Sequence, residues 1–511
     1  MVPTKNRTAK SAGAFSFGLA ALRNPLRISG PASLIWKVRC HPKILLTTIL
    51  VVAAAAALWL RPAPFHEDEA IYAAWALAVR GDWALSRTPI DKPPLFFYPL
   101  AASLALFGPS EAAARVPNLL ATIAAAFFVF RLVVARRGRV AATAAALLFL
   151  AAPLTQAYAA SAFTDPLMLV LALAAAERAQ AGRARVSGLL LGLAVLTKPT
   201  ALFLVPFVLV AGSRLQAVQT RHRGVSPNPR ASTLLLALAA VLLVGWAWDA
   251  ARLVPGWWVL GGHAYGSLGR PEVALGTWAR WLLLGLGPLA AAGGWDLGDR
   301  HSVPSSAGEV RAWRVESGNQ PRISNPHSPL PLSEAVLWGT LVLFLPLHVL
   351  LGFQPWDRYL LPLAALLAVG AGWWLSRPAR AALVAALLAL PLTLWTAAGG
   401  TGLGGRDGRW VGIAALGAAV RALPPGTTVL YTDVGRPLAF YARGARATLR
   451  WAPDAQALAA LAGEAPGPVF IAARASALPS PCRPSPTRAE ATETPFVLAP
   501  VEAACRAALI P

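Results

Sequence analysis

The residues best suited to chemistry lie close together near the start of the chain. The run Phe65-His66-Glu67-Asp68-Glu69-Ala70-Ile71-Tyr72 sets three adjacent carboxylates directly after an apolar stretch. Like charges at that spacing raise one another's pKa, so the run is costly to keep ionised. Asp91-Lys92-Pro93-Pro94-Leu95 follows in the same interval. A lysine stiffened by two prolines offers a fixed cationic point suited to a phosphate anion. A carboxylate beside such a cation is what transfer from a phosphate-linked donor requires. One group activates the acceptor hydroxyl and the other neutralises the leaving phosphate. Either feature alone is weak, since acidic loop residues are commonly just solvated. Their combination and order carry the reading.

The elements that must position these residues are set by composition. The 511-residue chain is 56% hydrophobic and 14% charged, with a mean hydropathy of +0.54. Soluble domains carry about 25% charged residues, so lipid is the main solvent. Ile44 to Leu60, Leu234 to Trp248 and Ala381 to Ala398 contain no charge, and each is near the roughly 17–25 residues of a membrane span. The net charge of +23 does not imply nucleic acid, because the basic residues sit in short clusters between apolar runs. These are Arg136-Arg137-Gly138-Arg139, Arg178 to Arg185, Arg221-His222-Arg223, Arg311 to Arg322 and Arg377 to Arg380. That is the positive-inside pattern of a multispan protein.

Spans are expected near 44–61, 115–134, 140–157, 165–177, 186–197, 199–212, 231–248, 277–293, 333–351, 359–375 and 381–398, about 11 transmembrane segments. Residues 186–212 could form one helix or a hairpin broken at Lys198-Pro199. The hairpin keeps every basic cluster on the cytoplasmic side, and the proline supplies the break. The first loop (62–114), the turn 154–165, the loop 249–276 and the chain after 398 then face outward. The segment 296–332, rich in Ser, Pro and Arg, reads as a flexible cytoplasmic insertion. The chain thus divides into a basic cytoplasmic arm (1–43), a transmembrane catalytic region (44–400) and a small α/β extracytoplasmic domain (401–511). In the last, Val429 to Tyr431 and Val469 to Ile471 read as buried strands, with a helix over Asp454 to Leu461. Cys482 and Cys505 both fall there; an oxidising compartment would let them pair, and the sequence leaves open whether they do.

Six motifs occur in order over residues 45–400. They are Asp68-Glu69-Ala70-Ile71-Tyr72, Lys92-Pro93-Pro94-Leu95, Arg115-Val116-Pro117, Thr164-Asp165-Pro166, Leu196-Thr197-Lys198-Pro199 and Asp357-Arg358-Tyr359-Leu360-Leu361-Pro362. As a set they resemble the GT-C glycosyltransferase superfamily. The likeness is to the family-39-like group of protein O-mannosyltransferases and lipid A aminoarabinose transferases.

The resemblance implies a polytopic α-helical membrane protein with a GT-C-like fold, set in the plasma (inner) membrane with its N-terminus cytoplasmic. Asp68 matches the catalytic base, supported by Glu69. Asp165 matches a second acidic position, and a helix N-cap explains it equally well. Lys92 matches a ligand of the donor phosphate, and Lys198, Arg358 and Tyr359 match further contacts. For Arg358 and Tyr359 an interfacial anchor is the alternative. The implied donor is a sugar carried on polyprenyl phosphate, passed with inversion to a lipid, glycan or protein acceptor. No cofactor is required. Some members bind a divalent metal, for which His66, Glu67 and His263 could supply ligands, although the spacing is not zinc-like. A transporter or lipid flippase is the rival reading. It would demand ionisable groups in mid-span and paired broken helices, whereas almost all acids and bases here fall at span ends or in loops and no fixed-period repeat is visible.

Overall fold

The apolar runs become helices that stop where proline, glycine or charge forces a change. The computed structural model describes residues 42–61, 63–212, 229–257, 259–260, 275–301, 339–340, 343–344, 346, 356–375, 377–406, 408–452, 454–478, 480–482, 495–502 and 505. The helices of the apolar region are α1 (Pro42–Leu60), α2 (Glu67–Ala78), α3 (Phe97–Phe107), α4 (Glu111–Ala151), α5 (Pro153–Ala159), α6 (Asp165–Gln180) and α7 (Ala184–Thr197). They continue with α8 (Pro199–Gly212), α9 (Pro229–Ala250), α10 (Leu275–His301), α11 (Leu361–Trp374) and α12 (Pro378–Ala397). By length and composition α1, α4, α9 and α12 are each able to cross a membrane. Large apolar side chains on them, among them Leu236, Leu243 and Trp246 on α9, stay exposed, as lipid-facing surface does. The chain is a helical, multi-pass membrane protein.

Two local breaks shape the bundle. Helix α4 is two helices meeting at Gly138, whose φ of +76° leaves the helical region at a value glycine adopts without penalty. Its second half ends at Ala151, short of the expected span 140–157. Pro153 has no N–H to continue the ladder and drives Ala152 to an extended ψ of 126°, so a separate helix, α5, begins there.

The second break is at Lys198, which is extended at φ −158° and ψ 124°. Helix α6 runs from Asp165 to Gln180, and α7 returns until Lys198 lies 2.5 Å from Asp165. Helix α8 then runs back, so that Gly212 stands against Ala179 at the far end of α6. Residues 184–212 are therefore a hairpin. Its first arm packs on α9 through small residues: a Cβ on Gly188 would meet the Leu234 carbonyl oxygen at 2.2 Å, and one on Gly192 would meet Val241 at 2.6 Å. Only glycine at this four-residue interval lets the helices approach so closely.

The expected insertion 296–332 is corrected at its start, because α10 carries on to His301. The remainder, together with most of the expected span 333–351 and residues 1–41 of the basic arm, lies outside the described residues.

Beyond α12 come α13 (Ile413–Arg421), β1 (Thr428–Tyr431), α14 (Gly435–Tyr441), β2 (Thr448–Trp451), α15 (Ala455–Glu464), β3 (Val469–Arg474) and β4 (Phe496–Pro500). The sheet order is β2-β1-β3-β4. Strand β1 is parallel to β2 and β3, and β4 is antiparallel to β3. Leu430, Ile471 and Ala473 bury one face against Leu458 and Ala462 of α15. Cys482 and Cys505 are joined as a disulfide beneath it. Helix α14 packs on α2. There the Tyr441 hydroxyl donates to Glu111 at 2.7 Å and accepts the Phe65 N–H at 2.9 Å. The sheet is thereby tied to the acidic run.

Candidate active site

The acidic run is the first turn of α2. His66 is its N-cap: its Nδ1 accepts the Asp68 N–H at 3.3 Å, while Glu69 accepts the His66 N–H at 3.0 Å. This reciprocal cap satisfies two backbone donors that a helix start leaves unpaired, and the positive end of the helix favours all three carboxylates. Their crowding is relieved further by divergence, since each points to a different partner.

Glu69 turns inward. One oxygen accepts the Ala162 N–H at 2.7 Å, and the buried Arg115 lies at 3.4 Å while also donating to the Ala63 carbonyl at 2.8 Å. The structure sets Glu69 as the anchor of α2 against the 160–163 turn, apart from the contacts of Asp68.

Asp68 faces the other way. Its Oδ2 accepts from Arg358 Nη1 at 2.7 Å, and its Oδ1 lies 3.4 Å from Arg436 of α14. Burial alone would push this carboxyl up. Arg358, His66 and Lys92 outweigh burial and hold it at about 2. Arg358 is itself buried and lies over the rings of Trp356 and Phe163. Its backbone is fixed by Asp357, whose carboxylate accepts from the Tyr158 hydroxyl at 2.5 Å, the Gly404 N–H at 2.8 Å and the Arg358 N–H at 3.0 Å. Burial pushes the Asp357 carboxyl up.

A second ion pair adjoins the first. Lys198 Nζ reaches Asp165 Oδ1 at 2.5 Å and lies 4.4 Å from the centre of the Tyr359 ring. Asp165 does not cap α6; it is the first helical residue, after Thr164. Burial lowers the Lys198 ammonium to about 8 in spite of Asp165, and the charges of Arg358 and Lys92 add to that drop. Lys92 pairs with Asp91 at 3.2 Å and acts electrostatically on both Asp68 and Lys198. Its loop is held by Asp82, which accepts three backbone N–H groups, and by Arg252 just past α9, which donates to the Leu85 carbonyl at 3.1 Å.

Asp68, Asp165, Lys92, Lys198, Arg358 and Tyr359 thus form one cluster. A cavity of about 370 Å³ opens beside it, lined by His66, Phe163, Trp281, Trp356 and Arg358 among others. Within the cluster Arg358 Nε and Asp165 Oδ2 are buried without a hydrogen-bond partner among the described residues. Buried polar atoms are nearly always paired, so both are free to meet a ligand.

Among the described residues the acidic run shows no assembled divalent-metal site. His66 Nδ1 is used by the helix cap, and both Asp68 oxygens face guanidinium groups. Among the described residues no three His, Cys, Asp or Glu side chains converge on a point, and His263 lies outside them.

The helical layout has relatives among solved structures. ArnT from Cupriavidus metallidurans in the apo state superposes with a TM-score of 0.55 at 14% identity, over 85% of this chain and 93% of that one. ArnT from the same organism bound to undecaprenyl phosphate gives 0.54 at 15% identity, with the same coverage. The chain shares the fold of these solved membrane proteins. A family model described as dolichyl-phosphate-mannose-protein mannosyltransferase matches residues 91–248, which run from Asp91 through Lys198 to α9. Comparison with curated protein sequences gives no match.

Sequence reasoning missed two groups. Arg436 belongs to no motif and sits in the C-terminal segment; no local signal marks it. Asp357 stood in a quoted motif next to Arg358, and its place before a conspicuous arginine was the available clue. The direct contact of Asp68 is Arg358, with Lys92 acting on it from further off.

Proposed function

We propose that this chain is a membrane glycosyltransferase that takes a sugar from a polyprenyl-phosphate donor and passes it to an acceptor hydroxyl on the outer face of the plasma membrane. The observation that carries the reading is the Asp68–Arg358 pair next to Lys198, Lys92 and a cavity. One ionised carboxylate stands among cations in a site shielded from water, where charge stabilisation is strong. Arg358, Lys198 and Lys92 bind the donor phosphate. The phosphate competes with Asp68 for Arg358, and a carboxylate released from its guanidinium partner becomes more basic.

The acceptor oxygen then attacks the anomeric carbon as the bond from that carbon to the phosphate oxygen breaks. The acceptor proton passes to Asp68, and polyprenyl phosphate leaves with the bonding electrons, held by Arg358 and Lys198. Attack opposite the leaving group inverts the anomeric centre. That ArnT has been seen bound to undecaprenyl phosphate supports the donor class.

Orientation has two supports. Helices α6 and α11 each have the cluster at one end and a basic turn, 178–185 or 377–380, at the other. Arg136, next to the Gly138 kink, stacks on Trp373 near the end of α11, which puts a third basic segment on that face. The positive-inside rule makes it cytoplasmic. The Cys482–Cys505 disulfide favours an oxidising compartment for the sheet.

The test is transfer by purified protein in detergent from a radiolabelled polyprenyl-phosphate mannose or aminoarabinose donor, compared with an Asp68→Asn variant. Equal turnover by the two proteins would remove Asp68 as the base.

A further inference from the structure

Glu67 and Asp68 are adjacent in sequence but open onto different spaces. Asp68 faces Arg358, whereas Glu67 lines a second cavity of about 690 Å³ with Tyr431, Thr432, Asp433, Arg436 and Trp451. Tyr431 ends β1 and Trp451 ends β2, two parallel neighbours. The cavity therefore lies at the carboxyl ends of parallel strands, where open α/β sheets bind their ligands.

The walls combine two kinds of group. Trp451 is 60% exposed although it closes a strand, and the Tyr431 ring is half-buried beside it. Opposite them Glu67 is half-buried and makes no hydrogen bond among the described residues, while the Thr432 hydroxyl and the Asp433 carboxylate add polar sites. Aromatic faces stack on the C–H faces of a sugar ring, and ionised carboxylates accept from its hydroxyls. A bare acyl chain would leave Glu67 buried without a partner, at a cost in free energy. The cavity also communicates with the base: Arg436 lines it and lies 3.4 Å from Asp68 Oδ1. A hydroxyl held here is one guanidinium away from the carboxylate that would take its proton.

We propose that this cavity is the acceptor subsite and that it takes a saccharide, free or as a lipid headgroup. The inference rests on the transferase reading above and narrows its acceptor class. Glu67 orients the acceptor by accepting a sugar hydroxyl, and Trp451 supplies the stacking face.

The test uses the full-length protein in detergent micelles and saturation-transfer NMR with three probes: a disaccharide of N-acetylglucosamine, maltose, and a serine/threonine-rich peptide. At least one disaccharide is expected to bind. Its affinity should fall about tenfold or more in Trp451→Ala and in Glu67→Gln, with Trp451→Phe restoring most of the loss, and with unchanged thermal melting as the folding control. A binding saccharide is then compared with the same headgroup on a lipid, which separates the two sources. Undiminished saccharide binding in both variants, binding of the peptide alone, or no binding by the wild type would each overturn the proposal. Donor turnover by the wild type is measured separately. Its absence alongside saccharide binding would overturn the transferase reading, and with it the acceptor role, while leaving a saccharide site in place.

Discussion

Asp68 and Arg358 stand 290 residues apart in sequence and 2.7 Å apart in space. Asp68 is held by the capped first turn of α2, and Arg358 by the hydrogen bonds of Asp357 just before α11. Two rigid elements thus meet at one ion pair, and the proposed base and its phosphate-binding partner are positioned together.

Removing the base is the most direct prediction. Asp68→Asn keeps the size of the side chain and its place in the helix cap but cannot take a proton. General-base catalysis contributes about 10²–10⁴-fold, so kcat should fall by that range with little change in donor KM. A kcat within a few-fold of wild type would place the base elsewhere.

The two arginines on Asp68 are predicted to differ. Arg358 is buried and Arg436 is half exposed. Arg358→Ala leaves Asp68 with its main partner gone and the donor phosphate without its chief cation, so donor binding should weaken by roughly 10-fold or more. Arg436→Ala removes a solvent-screened contact that is worth little, and donor affinity should stay within about fivefold. Titration with undecaprenyl phosphate, with no turnover required, reads both. Equal losses would show that burial does not rank the two.

The pH profile follows from Lys198 and Asp68. With its ammonium lowered to about 8, Lys198 is cationic below that pH and loses its charge as pH rises through it. kcat/KM for the donor reports the free enzyme and should therefore decline on the alkaline side near pH 8. Asp68 at about 2 stays ionised through the neutral and mildly acidic range and adds no acid limb there. Lys198→Arg should move the alkaline decline upward, because guanidinium stays protonated. An unchanged decline in that variant would assign it to another group.

Glu69 and Arg115 are expected to matter through stability. Both are buried, and removing one partner strands a charge at a cost of about 3–5 kcal/mol. Arg115→Ala should lower the melting temperature in detergent sharply. The Glu69→Gln/Arg115→Leu double variant should recover much of the loss, because no unpaired charge remains. If the single variant melts like wild type, the pair is not an anchor.

The disulfide gives a prediction for the C-terminal segment alone. It closes a separation of 23 residues, for which chain entropy suggests about 3 kcal/mol. Cys482→Ser should raise protease cleavage within 469–505 without changing binding of undecaprenyl phosphate, which contacts none of these residues in the proposed site.

Much of this was legible in the sequence, for reasons that can be named. Hydropathy alone marked the long helices, because the solvent each faces is averaged over many residues. The break at Lys198-Pro199 was visible because proline acts on its own backbone neighbours. Asp68, Lys92, Asp165, Lys198, Arg358 and Tyr359 were all named by motif order, and the fold brings them into one cluster. The end of the helix at Ala151 was misjudged, since apolar character continues through Pro153 and hides the backbone break.

What the sequence by itself determined is the set of elements and the groups with chemical capacity: apolar spans, basic turns, an acidic helix start and a stiff lysine. Only the tertiary structure decided the use of each carboxylate. Glu67, Asp68 and Glu69 are consecutive and alike in charge, yet one faces the sheet, one faces Arg358 and one is buried on Arg115. The physical reason is that successive residues on a helix point about 100° apart. Which partner lies in each direction depends on how distant helices and the C-terminal sheet close around the turn. A local sequence reading carries no information about that closure.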